Sequence, residues 1–243
     1  MKLTVKGKLS YLLVSQTGLL LLYPYLEGGG YATAALTFIF TAIMVFAVYA
    51  VSFKPIHLWI TLGMGVPWLV ISWIDVFAPI QNKLLLVSWY GLMCVFYCYV
   101  AAVILAHVLR AKVITMDIIC GAVSVYIFIG LFFFILHGTV ETIYPGAYIT
   151  GTLPSGTDHI TWPGFLYFSF VTLATLGYGD IVPLASQARS LAIIESVVGV
   201  FYVAILIARL VAAQDWRMRD EGTDGPRGWS GDKRAEIVDR KVD

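Results

Sequence analysis

Charge is scarce in this sequence. Only 13% of its 243 residues are Asp, Glu, Lys or Arg, and 59% are apolar, where soluble domains carry about 25% charge. That shortage excludes an ordinary water-soluble globule, because too little polar surface remains to cover a body of this size, and lipid has to be part of the solvent. An excess of one sign is also missing: 16 basic residues meet 15 acidic ones, with no Lys/Arg stripe to follow phosphates, which excludes nucleic acid as a partner. Cysteine is equally sparse. Cys94, Cys98 and Cys120 lie inside apolar runs, without Cys-x-x-Cys spacing or a neighbouring His or Asp, which argues against a disulfide framework or a zinc site. They read as small packing residues.

Long apolar runs are abundant. A spanning helix needs about 20 apolar residues to cross roughly 30 Å of hydrocarbon, and six segments qualify: Ser10 to Tyr25, Tyr31 to Phe53, His57 to Phe77, Leu84 to His107, Ile114 to Leu136 and Arg189 to Ala212. Breakers and charge mark the joints at Glu27 to Gly30, Lys54-Pro55, Pro79 to Lys83 and Arg110 to Lys112, and such short joints make neighbours antiparallel. With the N-terminus inside, 14 basic residues are cytoplasmic and only Lys83 and Arg189 face out; this split fixes the orientation, with both termini cytoplasmic. The long loop from His137 to Trp162 then lies outside. It has Glu141 and Asp158 but no Lys or Arg, a vestibule that concentrates cations. Lys2, Lys6 and Lys8 before the first apolar run offer a signal peptide as an alternative, but Ala32-Thr33-Ala34, which could mimic a cleavage site, sits inside the next run.

Between the fifth and sixth runs lies the segment from Thr161 to Asp180. About 12 residues from Trp162 make a helix about 18 Å long, which reaches halfway through a bilayer and must re-enter. Pro163 suits its first turn and Thr161 its cap, so its C-terminal end, partly negative, points at the membrane centre. Non-helical backbone at that depth is tolerated only where protein buries it or it lines water. Here it is Thr175-Leu176-Gly177-Tyr178-Gly179, whose alternate glycines permit left-handed angles that turn successive carbonyls to one side. Such carbonyls, with the Thr175 hydroxyl, replace the hydration shell of a cation the size of potassium.

Thr175-Leu-Gly-Tyr-Gly-Asp180 resembles the signature filter of the tetrameric potassium channels, which place an outer helix, pore helix, filter and inner helix in this order. The resemblance covers Ile114 to about Ala213 and is to six-helix, single-pore-loop members of bacterial type. It implies an all-α membrane protein, four copies around one axis, carbonyls of Thr175, Leu176, Gly177 and Tyr178 coordinating K+, Gly179 completing the filter, and no cofactor beyond the permeant ion. Leu176 stands where many members have Val. The resemblance also assigns Tyr167 and Phe168 as aromatics bracing the filter, Asp180 as the outer-mouth acid, and Gly199 as the hinge glycine of the inner helix. Close helix packing explains Gly199 nearly as well; Ala204 and Ala208, one turn apart, would let four helices approach closely at the inner mouth, and ordinary packing explains them equally well.

Glu195 is the oddest residue. It falls six residues into the last apolar run, roughly 9 Å below its outer end, where a carboxylate costs about 2.5 to 3.5 kcal/mol on insertion scales and needs partners. Ser169, Thr172 or Tyr178 are the candidates, for a brace behind the filter or for a proton-sensitive element. Asp75 is placed to pair with Lys83, and His57, His107, His137 and His159 lie at membrane boundaries.

Residues 1–113 occupy the place of a voltage-sensor domain, yet Leu84 to Leu109 contains no Arg or Lys, so steep voltage dependence, which needs about 3 to 4 gating charges per subunit, is not expected. Residues 114–213 form the pore domain. Residues 214–243 are polar and Gly-rich, read as a flexible cytoplasmic tail anchored at Trp216. The expectation is a homotetrameric, potassium-selective channel in the plasma (inner) membrane. The rivals are a weakly selective cation channel, a potassium-transporter subunit, and a membrane-embedded enzyme using Asp75, Glu195 and a His. The last is disfavoured because no nucleophile or metal-ligand pair accompanies those residues.

Overall fold

The computed structural model describes residues 7–26, 32–78, 80–111, 113–151 and 160–223. Lys2, Lys6, Glu27 to Gly30, Pro79, Lys112, Asp158, His159 and the tail from 224 onward lie outside the described residues. Among the described residues seven helices run in the order α1 (Lys8–Leu22), α2 (Ala32–Val51), α3 (Pro55–Phe77), α4 (Lys83–Arg110), α5 (Met116–Ile143), α6 (Trp162–Leu173) and α7 (Ser186–Thr223). A 3-10 turn, Tyr23–Leu26, follows α1. Two short strands interrupt the helical pattern: β1 (Tyr148–Thr150) pairs antiparallel with β2 (Ile181–Pro183), with Tyr148 opposite Pro183 and Thr150 opposite Ile181. An all-α expectation missed this ribbon, since three-residue strands carry too little periodicity to be seen.

Five helices, α2 to α5 and α7, are long and apolar enough to cross a membrane. The first apolar run gives only 15 helical residues in α1, about 22 Å. Helix ends follow local chemistry. Asn82 accepts from the amides of Leu84 and Leu85 at the start of α4, and Thr115 accepts from Ile118 at the start of α5. The start of α1 is capped from a distance: Asp117 Oδ1, in the first turn of α5, accepts from the amides of Leu9 and Ser10 at 3.1 and 3.2 Å. Both helices therefore begin at the same end of the bundle. Arg209 of α7 donates to the carbonyls of Leu109 and Ala111, and Lys8 donates to Ser52, so the basic residues near 8, 54, 110 and 209 gather at that end.

Boundary differences have simple causes. α5 continues past Leu136 to Ile143, because the polar groups that mark its end in sequence are satisfied within the fold: Thr139 and Thr142 bond the carbonyls of Ile135 and Gly138 one turn back. His137 to Ile143 is thus helix rather than outer loop. α7 runs on through Thr223, into the stretch read as tail; Gln214 to Glu221 is too polar for a core but rich in good helix formers.

The core centres on α5. Phe128, Leu131 and Ile135 are fully enclosed, with Phe96, Tyr97 and Ile104 of α4 in the same cluster. α6 lies on α5 and α7, so the half-length helix is held inside the subunit by a spanning helix on either side.

Candidate functional site

The end of α6 is where the chain departs from ordinary geometry. Ala174 closes the helix, Thr175 N–H donates to the Thr172 carbonyl at 3.0 Å, and Leu176 N–H reaches back to the Val171 carbonyl at 2.9 Å. This is the Schellman pattern, whose left-handed position is usually glycine. Here it is Thr175, at φ 57°, the one non-glycine residue with positive φ among those described. A β-branched residue in that region is costly, and a glycine would turn the corner more easily. Gly177 and Gly179 follow at φ 58° and 77°. Left-handed angles at 175, 177 and 179, separated by ordinary ones at 176 and 178, are the alternation that turns successive carbonyls to a common side. Residues 175–179 are all exposed on the single chain, Leu176 at 55% and Tyr178 at 67%.

The outer flank is tied down. Tyr167 Oη donates to Asp180 Oδ2 at 2.6 Å, and its ring stacks on Tyr178 with centroids 6.5 Å apart. Asp180 Oδ1 accepts from Ile181 N–H, and the Asp180 carbonyl accepts from Gly151 N–H. Asp180 and the residues after it are therefore clamped to α6 on one side and, through the β1–β2 ribbon, to the loop after α5 on the other. Phe168, one residue on, is buried and packs edge-on against His137 and Tyr148.

Behind α6 sits Glu195, fully buried. Its Oε1 lies 2.5 Å from Ser169 Oγ and its Oε2 lies 2.8 Å from His137 Nε2. Ser169 is among the partners the sequence named; Thr172 and Tyr178 are not bonded to Glu195. His137 is the residue that sequence reasoning missed. Set at a boundary because the apolar run ends before it, it is instead 0% exposed in the interior of α5, and its other ring nitrogen, Nδ1, lies 2.6 Å from Tyr148 Oη. A lone buried carboxylate on α7 required a polar partner at similar depth, and that requirement was the signal that could have found His137.

Gly199 lies in an unbroken stretch of α7, and a Cβ there would collide with the Leu173 carbonyl at the end of α6. Backbone-to-backbone approach is therefore a sufficient reason for glycine at this position. In the N-terminal helices the expected Asp75–Lys83 pair does not form: Asp75 accepts from Ile80 N–H, while Lys83 Nζ donates to the Ile143 carbonyl. The loop is short enough for Asp75 to serve its own backbone. His57 bonds Tyr99 and His107 stacks on Phe53, both near the end of the bundle where the basic residues gather. α4 carries Lys83 and Arg110 at its two ends and no Lys or Arg between them.

A protein of Arabidopsis thaliana called two-pore potassium channel 4 is 41% identical to this chain over 58 residues, 24% of this chain and 20% of that protein. The chain thus matches about one fifth of that relative's length. No solved structure matches significantly. Residues 121–214, which hold most of α5, all of α6, the 175–180 segment and the membrane-long part of α7, match the family model described as an ion channel.

Proposed function

We propose that the chain is one subunit of a potassium-selective channel that conducts passively, with four copies around a central axis. The observation that carries this reading is the alternation of left-handed residues at 175, 177 and 179, set at the inner end of a half-length helix. Carbonyls of Thr175, Leu176, Gly177 and Tyr178, with the Thr175 hydroxyl, supply the oxygens that replace water around K+. The negative end of the α6 dipole favours the cation at the inner end of that row. Tyr167, Asp180 and the β1–β2 ribbon hold the outer end, and Gly179 gives the turn out of the filter.

One subunit offers only one side of such a ring, and its filter side chains are exposed, which supports assembly around the filter. α1 together with the 3-10 turn Tyr23–Leu26 measures about 30 Å, enough for a sixth span. The basic cluster near 8, 54, 110 and 209 then faces the cytoplasm by the positive-inside rule, with both termini on that side. The lack of basic residues inside α4 supports a conductance without steep voltage gating. Gly199 serves close packing at rest; bending there during gating is a second use of the same residue.

The test is purified full-length protein in planar bilayers with K+ on one side and Na+ on the other. A reversal potential near that for K+, and block by Ba2+, are expected. A reversal potential near zero establishes the weakly selective cation channel instead, and absence of any single-channel events overturns the channel reading.

A further inference from the structure

Seven polar or charged side chains are buried among the described residues, and three of them, His137, Ser169 and Glu195, belong to one hydrogen-bonded row. The row crosses four elements. It runs from Tyr148 Oη on β1 to His137 Nδ1 on α5 (2.6 Å), from His137 Nε2 to Glu195 Oε2 on α7 (2.8 Å), from Glu195 Oε1 to Ser169 Oγ on α6 (2.5 Å), and from Ser169 Oγ to the Gly130 carbonyl on α5 (2.7 Å).

Counting protons fixes its direction. A serine hydroxyl has one proton, and a carbonyl oxygen can only accept. Ser169 therefore gives its proton to Gly130, and its contact with Glu195 Oε1 needs a proton from the carboxyl. Glu195 Oε2 remains as an acceptor for His137 Nε2–H. That tautomer leaves a lone pair on His137 Nδ1, which accepts from the Tyr148 hydroxyl. Burial holds the Tyr148 phenol above its ordinary range, so it keeps the proton it donates. Each of the four groups donates once, and none is charged. An imidazolium facing a carboxylate fares worse. His137 Nδ1–H would have to donate to Tyr148, whose own proton then has no acceptor among the described residues, and the single Ser169 proton would face two acceptors. No Lys or Arg among the described residues bonds any of these groups; the other titratable groups in electrostatic reach are Tyr126 of α5, and Glu141 beyond Tyr148.

We propose that Glu195 is an un-ionised carboxylic acid that donates its proton to Ser169, and that this neutral row, not a buried ion pair, positions the pore helix against α5, α7 and β1. The row grips α6 at Ser169, about one turn before the helix ends at Leu173 and the chain turns left-handed at Thr175, so its integrity sets where the filter starts. Glu195 is a positioning residue: it touches no permeant ion. The consequence for the filter rests on the channel reading above, whereas the protonation state does not.

Two measurements on the full-length protein in lipid vesicles test this. Infrared spectra at neutral pH, with and without carbon-13-labelled glutamate, should show the carbonyl stretch of a buried un-ionised carboxyl that is lost in Glu195→Gln; a spectrum without that band overturns the proposal. Glu195→Gln keeps the direction of the row, since its amide N–H can donate to Ser169 while its carbonyl accepts from His137. Its K+ flux and K+/Na+ permeability ratio should therefore stay within about twofold of the parent, whereas Glu195→Ala, which strands buried partners, should lose about tenfold or more of either. If Gln is as damaging as Ala, Glu195 is needed as a carboxylate and the neutral row is wrong. If the parent shows the infrared band but passes no K+, the channel reading fails and the neutral row stands.

Discussion

α5 and α7 are nearly matched in length across the membrane and in hydropathy, yet 67% of the apolar window of α5 is buried inside the subunit and only 17% of that of α7. Composition therefore does not tell an inner helix from a peripheral one. α5 packs against α1, α4, α6 and α7 and acts as the wall on which the subunit is built. α7 gives one stripe to α5 and α6, where Ala188, Glu195 and Gly199 sit, and leaves Ile193, Ile194, Val197, Val200 and Phe201 exposed. A face that apolar is finished by lipid or by other copies of the chain. Residues 175–179 are exposed as well, so both stretches are open on the single chain.

The largest expected effect comes from the filter itself. Gly177→Ala places a side chain at φ 58°, a cost of about 1 to 2 kcal/mol per chain. Potassium current in bilayers should be abolished while circular dichroism stays unchanged and the chain loses no more than about 1 to 2 kcal/mol of stability; a current like that of the parent would detach residues 175–179 from function. Next, Phe128→Ala in the fully buried wall should cost about 3 to 5 kcal/mol of subunit stability, seen as a lower unfolding temperature in detergent. Phe201→Ala, at 62% exposure, should leave that temperature nearly unchanged and instead weaken the oligomer on native mass spectrometry. Equal thermal shifts for the two would erase the contrast between α5 and α7. Gly199→Ala should destabilise by about 1 to 3 kcal/mol through overpacking against Leu173, and a stabilised variant would show that the close approach is not needed. The smallest effect is that of voltage. Conductance of the parent should change shallowly over the whole tested range, because α4 lacks interior basic residues, and a curve requiring about 3 to 4 charges per subunit would mean that charge outside α4 moves.

Much of this was legible in order along the chain. Apolar run length separates α2 to α5 and α7 from the half-length α6, and the Gly-Tyr-Gly triplet marks where helical backbone must stop. Partnerships were less legible. His137 reads as a boundary residue because hydropathy averages over neighbours and is blind to a polar group whose bonds are satisfied at depth. Asp75 and Lys83 read as a pair because opposite charges across a short loop invite one, but each finds a backbone group nearer. Thr175 reads as a ligand by its hydroxyl; its left-handed backbone becomes visible only when the helix end is seen to require one.

Run length, charge placement and glycine spacing were enough to point to lipid as part of the solvent, to mark five runs that form membrane-long helices although the first run gives only the 15 residues of α1, to place the positive charge at one end, and to show where helical backbone gives way to glycine-permitted turns. These are local properties: they depend on residues within a window of about 20 and on the bilayer thickness. Three further outcomes waited on the packing of the helices: which polar residues meet behind α6, that β1 and β2 pair across the segment after Asp180, and that α5 is enclosed while α7 is bare. Those outcomes depend on which helix faces come together, and faces of equal hydropathy are not distinguished by their own composition.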